Sequence, residues 1–280
     1  MITFDPEIGM RDYIKSEFKV YGHSYDMQKT WESNLIKLNA LRRRIPKSIP
    51  RSIIELPKIE VPKKWRYGYD LLKNKLISGE SIEKHLSNNN RRRNYQDILL
   101  NYWGIHHLHL NPEIKEDGRL GRSGEILFAK FYDNAVIFID ILDHTKVQSE
   151  FWSNKELIEK IHHYVPEAIS DKKSNRLTGY DLKDSERAAL HKNRMNYALK
   201  MNDGTVYMFS NIMGNGDTLE DWQGVLYYKL KIERLEKIIK EDGDNISRQL
   251  GEKELTITVK TDGNVVEPYV KNKNTLLRFV

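Results

Sequence analysis

The sequence predicts an α+β fold: a helical basic N-terminal segment, a central antiparallel sheet with helices, and C-terminal hairpins packed on a long helix. Apolar residues recur at helical spacing over residues 29–43, 65–78, 94–103, 154–165 and 219–241, the period of helices with one buried face. Runs rich in β-formers, HHLHL, EILFAKFY and AVIFIDIL, follow one another in the middle of the chain, with Asp133-Asn134 between the last two. That is the pattern of a β-meander.

Taken in order, the chain starts with helical spacing between Tyr13 and Arg44, carried by Phe18, Trp31, Leu35, Leu38 and Leu41, and Pro46 ends it. Four prolines, at 46, 50, 57 and 62, then forbid a continuous helix and leave an extended connector bearing Ile53, Ile54, Ile59 and Val61. Two helices follow, with SIEKHL as a short one between them, and Gly104 closes the second in the usual C-terminal role of glycine. Past the meander and helix 154–165, DSERAALHKN begins as a helix capped by Asp184 or Ser185, residue types that accept from free N–H groups. RMNYALKM and TVYMFS flank Asn202-Asp203-Gly204, and ELTITVK and VVEPYV flank TDGN, two hairpin signatures. Between them the loop GNGDTLED leads into the long helix, whose Leu226, Leu230, Ile232, Leu235 and Ile239 read as a core face or an oligomer seam. The domains read as residues 1–62 (basic helical segment and proline-rich connector), 63–166 (central α+β domain) and 167–280 (C-terminal α+β domain).

Composition limits the function. With 280 residues, 39% hydrophobic and 31% charged, the chain has enough apolar content to fold. It has no cysteine, which removes disulfides, thiolate metal sites and cysteine nucleophiles. No apolar run approaches the roughly 20 residues of a membrane span, and MITFDPEIGMRDY lacks the apolar core of a signal peptide. The expected setting is cytoplasmic, with no membrane partner. The net charge of +6 favours an acidic partner, and the cations cluster at Arg42-Arg43-Arg44, Lys63-Lys64-Trp65-Arg66 and Arg91-Arg92-Arg93.

The stretch GIHHLHL at 104–110 is where chemistry is to be sought. On a strand, His106 points with Leu108 and Leu110 as a core-side histidine, while His107 and His109 share the other face, within about 7 Å of each other. Asp143-His144 ends the last strand of the meander and returns toward them. Two imidazoles of ordinary pKa, about 6.5, suit metal-independent RNA cleavage, one taking the 2′-hydroxyl proton and the other protonating the leaving oxygen. Arg122 would stabilise the phosphorane charge, with Arg91, Arg92, Arg93, Arg119 and Lys130 as phosphate-binding residues. No cofactor is required. His162 and His163, adjacent on a helix, point about 100° apart, so at most one would face such a site.

The order of basic helix, strand, GRLGRSGEILFAKFYDN, strand and terminal Asp-His resembles the RelE-type family of bacterial toxin ribonucleases over about residues 95–165. The resemblance implies an RNA-cleaving toxin or phage-defence activity, with Arg122 and His144 at the family's matching positions; His107 and His109 rest on the strand geometry alone. A protein inhibitor or a homodimer would fit that setting. Three other readings compete. His107-Leu-His109 followed by Glu113 resembles the first metal-ligand motif of cupins, with His144 as the remaining ligand of an iron, manganese or zinc site. A non-enzymatic nucleic-acid-binding or phage-associated regulatory protein needs only the cations. Histidines beside Tyr102 and Trp103 also serve as packing residues, and the arginine triplets as solvated helix ends.

Overall fold

In the computed structural model, which describes residues 2–113, 116, 121–143, 153–209, 211–252 and 254–277, the chain starts with β1 (Ile2–Phe4), α1 (Pro6–Val20), α2 (Trp31–Arg44), β2 (Ser52–Glu55), α3 (Arg66–Ser78) and α4 (Ile98–Trp103). The meander β3 (Ile105–His109), β4 (Glu125–Phe131) and β5 (Ala135–Asp143) follows, then α5 (Glu156–Tyr164), α6 (Asp184–Lys192) and the hairpin β6 (Tyr197–Lys200) and β7 (Val206–Phe209). The chain ends with α7 (Leu219–Glu241), α8 (Gly243–Leu250), β8 (Leu255–Thr261), β9 (Val266–Val270) and β10 (Thr275–Leu276). The fold is α+β. No helix among the described residues is long and apolar enough to cross a membrane.

The chain divides into two units rather than three consecutive segments. Residues 42–218 form one, and residues 1–41 with 219–280 form the other. Two long-range parallel pairings underlie this division: β1 pairs with β8, and β2, part of the proline-rich connector, pairs with β5. Parallel pairs have no connecting turn to announce them in sequence.

In the unit of residues 42–218 the sheet order is β2-β5-β4-β3, antiparallel except at β2, so the sheet is mixed. Side chains alternate between two cores. Leu108, Leu127, Ala129, Val136 and Phe138 pack with Tyr69, Leu72 and Leu76 of α3. Ile105, Ile126, Phe128, Ile137 and Ile139 pack with Leu157, Ile158 and Ile161 of α5 and with the β6–β7 hairpin. A sheet covered on both faces explains why AVIFI is continuously apolar. Each fully buried Leu, Ile or Phe contributes about 1.5–3 kcal/mol.

In the other unit the order is β1-β8-β9-β10. Its core joins Met10, Tyr13, Ile14 and Phe18 of α1 to Leu35 and Leu38 of α2 and to Val225, Tyr228 and Ile232 of α7. The buried face of α7 therefore departs from the leucine-based expectation, because Leu226 and Leu230 are 54% and 57% exposed. Val225, Tyr228, Ile232 and Ile239 are its buried apolar residues, spaced three, four and seven residues apart as a buried helix stripe requires. The cap of α6 also differs: the Lys183 N–H donates to Glu186 Oε2 at 2.7 Å, and Asp184 pairs with the buried Arg187.

Candidate functional site

Gly104 sets the geometry of the histidine strand. Helix α4 ends there in a left-handed conformation, φ +69°, which favours glycine; a Cβ would meet only Lys130 Nζ, the end of a flexible side chain. The chain reverses, and β3 runs back beside α4. From position 97 to 104 a helix advances about 10 Å, and from 104 to 107 a strand advances about 10 Å. Asp97 and His107 are therefore brought level.

Asp97 uses both carboxylate oxygens. Oδ1 accepts the Leu100 N–H at 3.1 Å, capping α4, and Oδ2 lies 3.4 Å from His107 Nδ1. His109 stands on the same strand face, its ring centroid 6.5 Å from that of His107, and the two residues are 8% and 5% exposed. Beneath them the buried His85 donates Nδ1–H to the His109 carbonyl at 2.9 Å, and burial holds its pKa down at about 4.

His106 points to the opposite face, as alternation requires. Its Nε2–H donates to the Arg43 carbonyl at 3.0 Å, its ring meets Phe131 edge-on at 4.9 Å, and burial lowers its pKa to about 3. It is a neutral core histidine.

The cations fall into two groups. Arg44 is buried and donates from Nε, Nη1 and Nη2 to the carbonyls of Asn90, Tyr95 and Arg92 at 3.1, 2.6 and 3.1 Å, fastening the loop that leads into Asp97. Arg43 donates to Asn101 Oδ1 at 2.9 Å, Arg91 pairs with Glu83, and Lys130 donates to the Trp103 carbonyl at 3.2 Å. These four cations thus hold local structure. Arg92 and Arg122 are exposed, and Arg93 is half-buried. Arg122 acts electrostatically on Tyr95, whose phenol is pushed up to about 12 by burial and then by the charge of Asp97.

The structure thus sets His107 and His109 on one strand face beside Asp97, with Arg122 exposed just before β4. Glu113 is exposed, and among the described residues no group of three or more His, Asp or Glu could hold a metal ion. Arg119 and His144 lie outside the described residues. His162 belongs elsewhere, between the Tyr207 hydroxyl at 2.8 Å and Asp203 Oδ2 at 3.0 Å, and His163 is exposed. Cavities of about 620 and 280 Å³ open against α1 and β8, lined by residues that include Thr258 and Lys271 but no histidine.

Sequence reading missed Asp97, Tyr95 and His85. Asp97 carried a usable signal, an aspartate directly before the helical run ILLNYW, which is N-cap chemistry. Comparison of the chain with protein-family models, curated proteins and solved structures gave no match.

Proposed function

We propose that this protein is a metal-independent endoribonuclease whose acid–base centre is His107, oriented by Asp97, with His109 beside it and Arg122 at the rim. One observation carries the reading: a buried carboxylate lies 3.4 Å from His107 Nδ1 while a second imidazole shares its strand face. A carboxylate at Nδ1 favours the tautomer protonated there and places the basicity on Nε2. It also stabilises the imidazolium formed when the base takes a proton.

In this reaction His107 accepts the proton of an RNA 2′-hydroxyl, and the 2′-oxygen attacks phosphorus. The bond from phosphorus to the 5′-oxygen breaks as a second imidazole, His109 or His144, delivers a proton to that oxygen. The products are a 2′,3′-cyclic phosphate and a 5′-hydroxyl. Arg122 counters the charge that develops on the phosphorane. The likeness of residues 95–165 to RelE-type toxins supports the same chemistry.

A second reading has its own support. Asp97 caps α4, so its contact with His107 also fastens α4 to β3, as a non-enzymatic nucleic-acid-binding protein would need. Metal-stripped protein incubated with labelled mixed RNA, with and without EDTA, separates the two. Cleavage that persists in EDTA, yields cyclic phosphate ends and disappears in a folded His107→Ala protein establishes the nuclease. Salt-sensitive binding without cleavage establishes the binding protein.

A further inference from the structure

The cluster Lys63-Lys64-Trp65-Arg66 takes no part in the histidine site, yet the fold holds it in a definite shape. Residues Lys63–Trp65 form a single 3-10 turn that runs directly into α3. Trp65 is half-buried, and its Nε1–H donates to Glu125 Oε2 at 2.7 Å, while Lys64 pairs with the other oxygen of Glu125 at 2.8 Å and lies over the Trp65 ring. One turn on, Gly68 lies so close to β3 that a Cβ would sit 1.7 Å from the Leu110 carbonyl oxygen. Trp65 and Gly68 thus anchor the start of α3 against the sheet.

Next to these anchors Lys63 and Arg66 are both exposed, and Tyr67 is 70% exposed. No acidic residue lies in the first turn of α3; the nearest carboxylates are Glu125, already paired with Lys64, Glu55, which is bound to Lys73 and Tyr69 and lies within electrostatic reach of Arg66, and Asp70, one turn further along α3. Leu110 and Glu125 flank the register pair His109–Ile126, which puts the anchors at the end of the sheet where His109 lies. An exposed aromatic residue next in sequence to one exposed cation and four residues from another, at the start of a helix, matches what a flexible polyanion with stackable bases requires.

We propose that Lys63, Arg66 and Tyr67 form a docking surface for single-stranded RNA, with the phosphates held by the two cations and one base stacked on Tyr67. The choice of RNA rests on the ribonuclease reading; the basic–aromatic surface itself does not. Duplexes are excluded by the same chemistry, because their bases are already stacked.

The test uses the full chain and a fluorescein-labelled 12-nucleotide 2′-O-methyl oligouridine, which lacks the attacking hydroxyl and stays intact whatever the histidines do. Binding is followed by fluorescence anisotropy across a salt series. Tyr67→Ala weakens binding about tenfold, as expected for one stacked base, with the salt dependence kept, and Tyr67→Phe restores it. The double variant Lys63→Gln/Arg66→Gln flattens the slope of log K against log salt by about 1.4, roughly 0.7 for each phosphate no longer neutralised. Wild-type affinity in both variants, failure of the wild type to bind, or equal binding of a duplex each overturns the proposal. The nuclease reading is judged separately on cleavable RNA: loss of cleavage in His107→Ala with unchanged oligouridine binding upholds both, and intact docking without any cleavage rejects the nuclease alone.

Discussion

The two faces of β3 set the same side chain against opposite kinds of partner. His106 turns to a backbone carbonyl, which can only accept, so its ring is fixed in one neutral tautomer and burial keeps it neutral. His107, one residue on, turns to the carboxylate of Asp97, a partner that stabilises the protonated ring as well as the neutral one. Burial is alike for the two histidines; the charge of the partner is what differs.

The largest expected effect breaks the comparison directly. On the nuclease reading, His107→Ala lowers the cleavage rate by about 10²–10⁴-fold, the usual contribution of a positioned acid or base, measured in single-turnover assays on labelled RNA. His106→Ala leaves the rate alone but lowers stability by about 1–3 kcal/mol, since the Arg43 carbonyl loses its buried donor, and urea melts read this loss. If both variants behave alike, the two faces are equivalent and the strand is structural throughout.

Asp97→Asn sharpens the same point with a smaller expected effect. Asparagine caps helices about as well as aspartate, so α4 and the melting temperature are retained. On the nuclease reading, removing the negative charge beside His107 lowers the cleavage rate by less than His107→Ala does. A variant that instead melts much earlier than wild type assigns Asp97 to fastening α4 onto β3.

The pH dependence of stability offers a third test. An unfolded histidine titrates near 6.5, whereas burial holds His106 at about 3 and His85 at about 4. Below pH 6.5 the unfolded chain takes up protons that the folded protein refuses. The stabilisation from these two residues is complete above about pH 6.5 and declines as the pH falls toward their folded values of about 3 and 4. Thermal melts from pH 7 to pH 4 should show a shallower loss for His106→Gln than for wild type; an equally steep loss rules out His106 as a contributor.

What was legible in the sequence follows the range of the interactions. The meander, the long helix and both hairpins were readable because alternation, helical spacing and turns such as Asn202-Asp203-Gly204 are local signals. So was the opposed orientation of His106 and His107. The pairings of β1 with β8 and of β2 with β5 were not, since each short strand owes its place to a distant partner. Helix α8 was also unread: it is eight residues long and follows α7 after Asp242. For the site, the strand face was legible, but the pairing of Asp97 with His107 was not, because it depends on the rise of α4 matching that of β3 about Gly104.

The arginine clusters carry the same lesson as the histidines, and they supply the smallest prediction. Arg91 and Arg92 are adjacent and chemically identical, yet Arg91 is paired with Glu83 while the Arg92 side chain is exposed. The Arg91 ion pair lies at the surface, where such pairs contribute about 0–1 kcal/mol, so Arg91→Gln moves the melting temperature little. Its charge is already countered by Glu83, so, if the protein binds RNA as proposed, the salt dependence of that binding also stays near that of wild type. If Arg92 meets a phosphate, Arg92→Gln lowers the salt slope by about 0.7 without changing stability. A larger change in slope from Arg91→Gln than from Arg92→Gln would mean that RNA displaces Glu83 and that the ion pair is a resting state of the binding surface, not a fixed part of the fold.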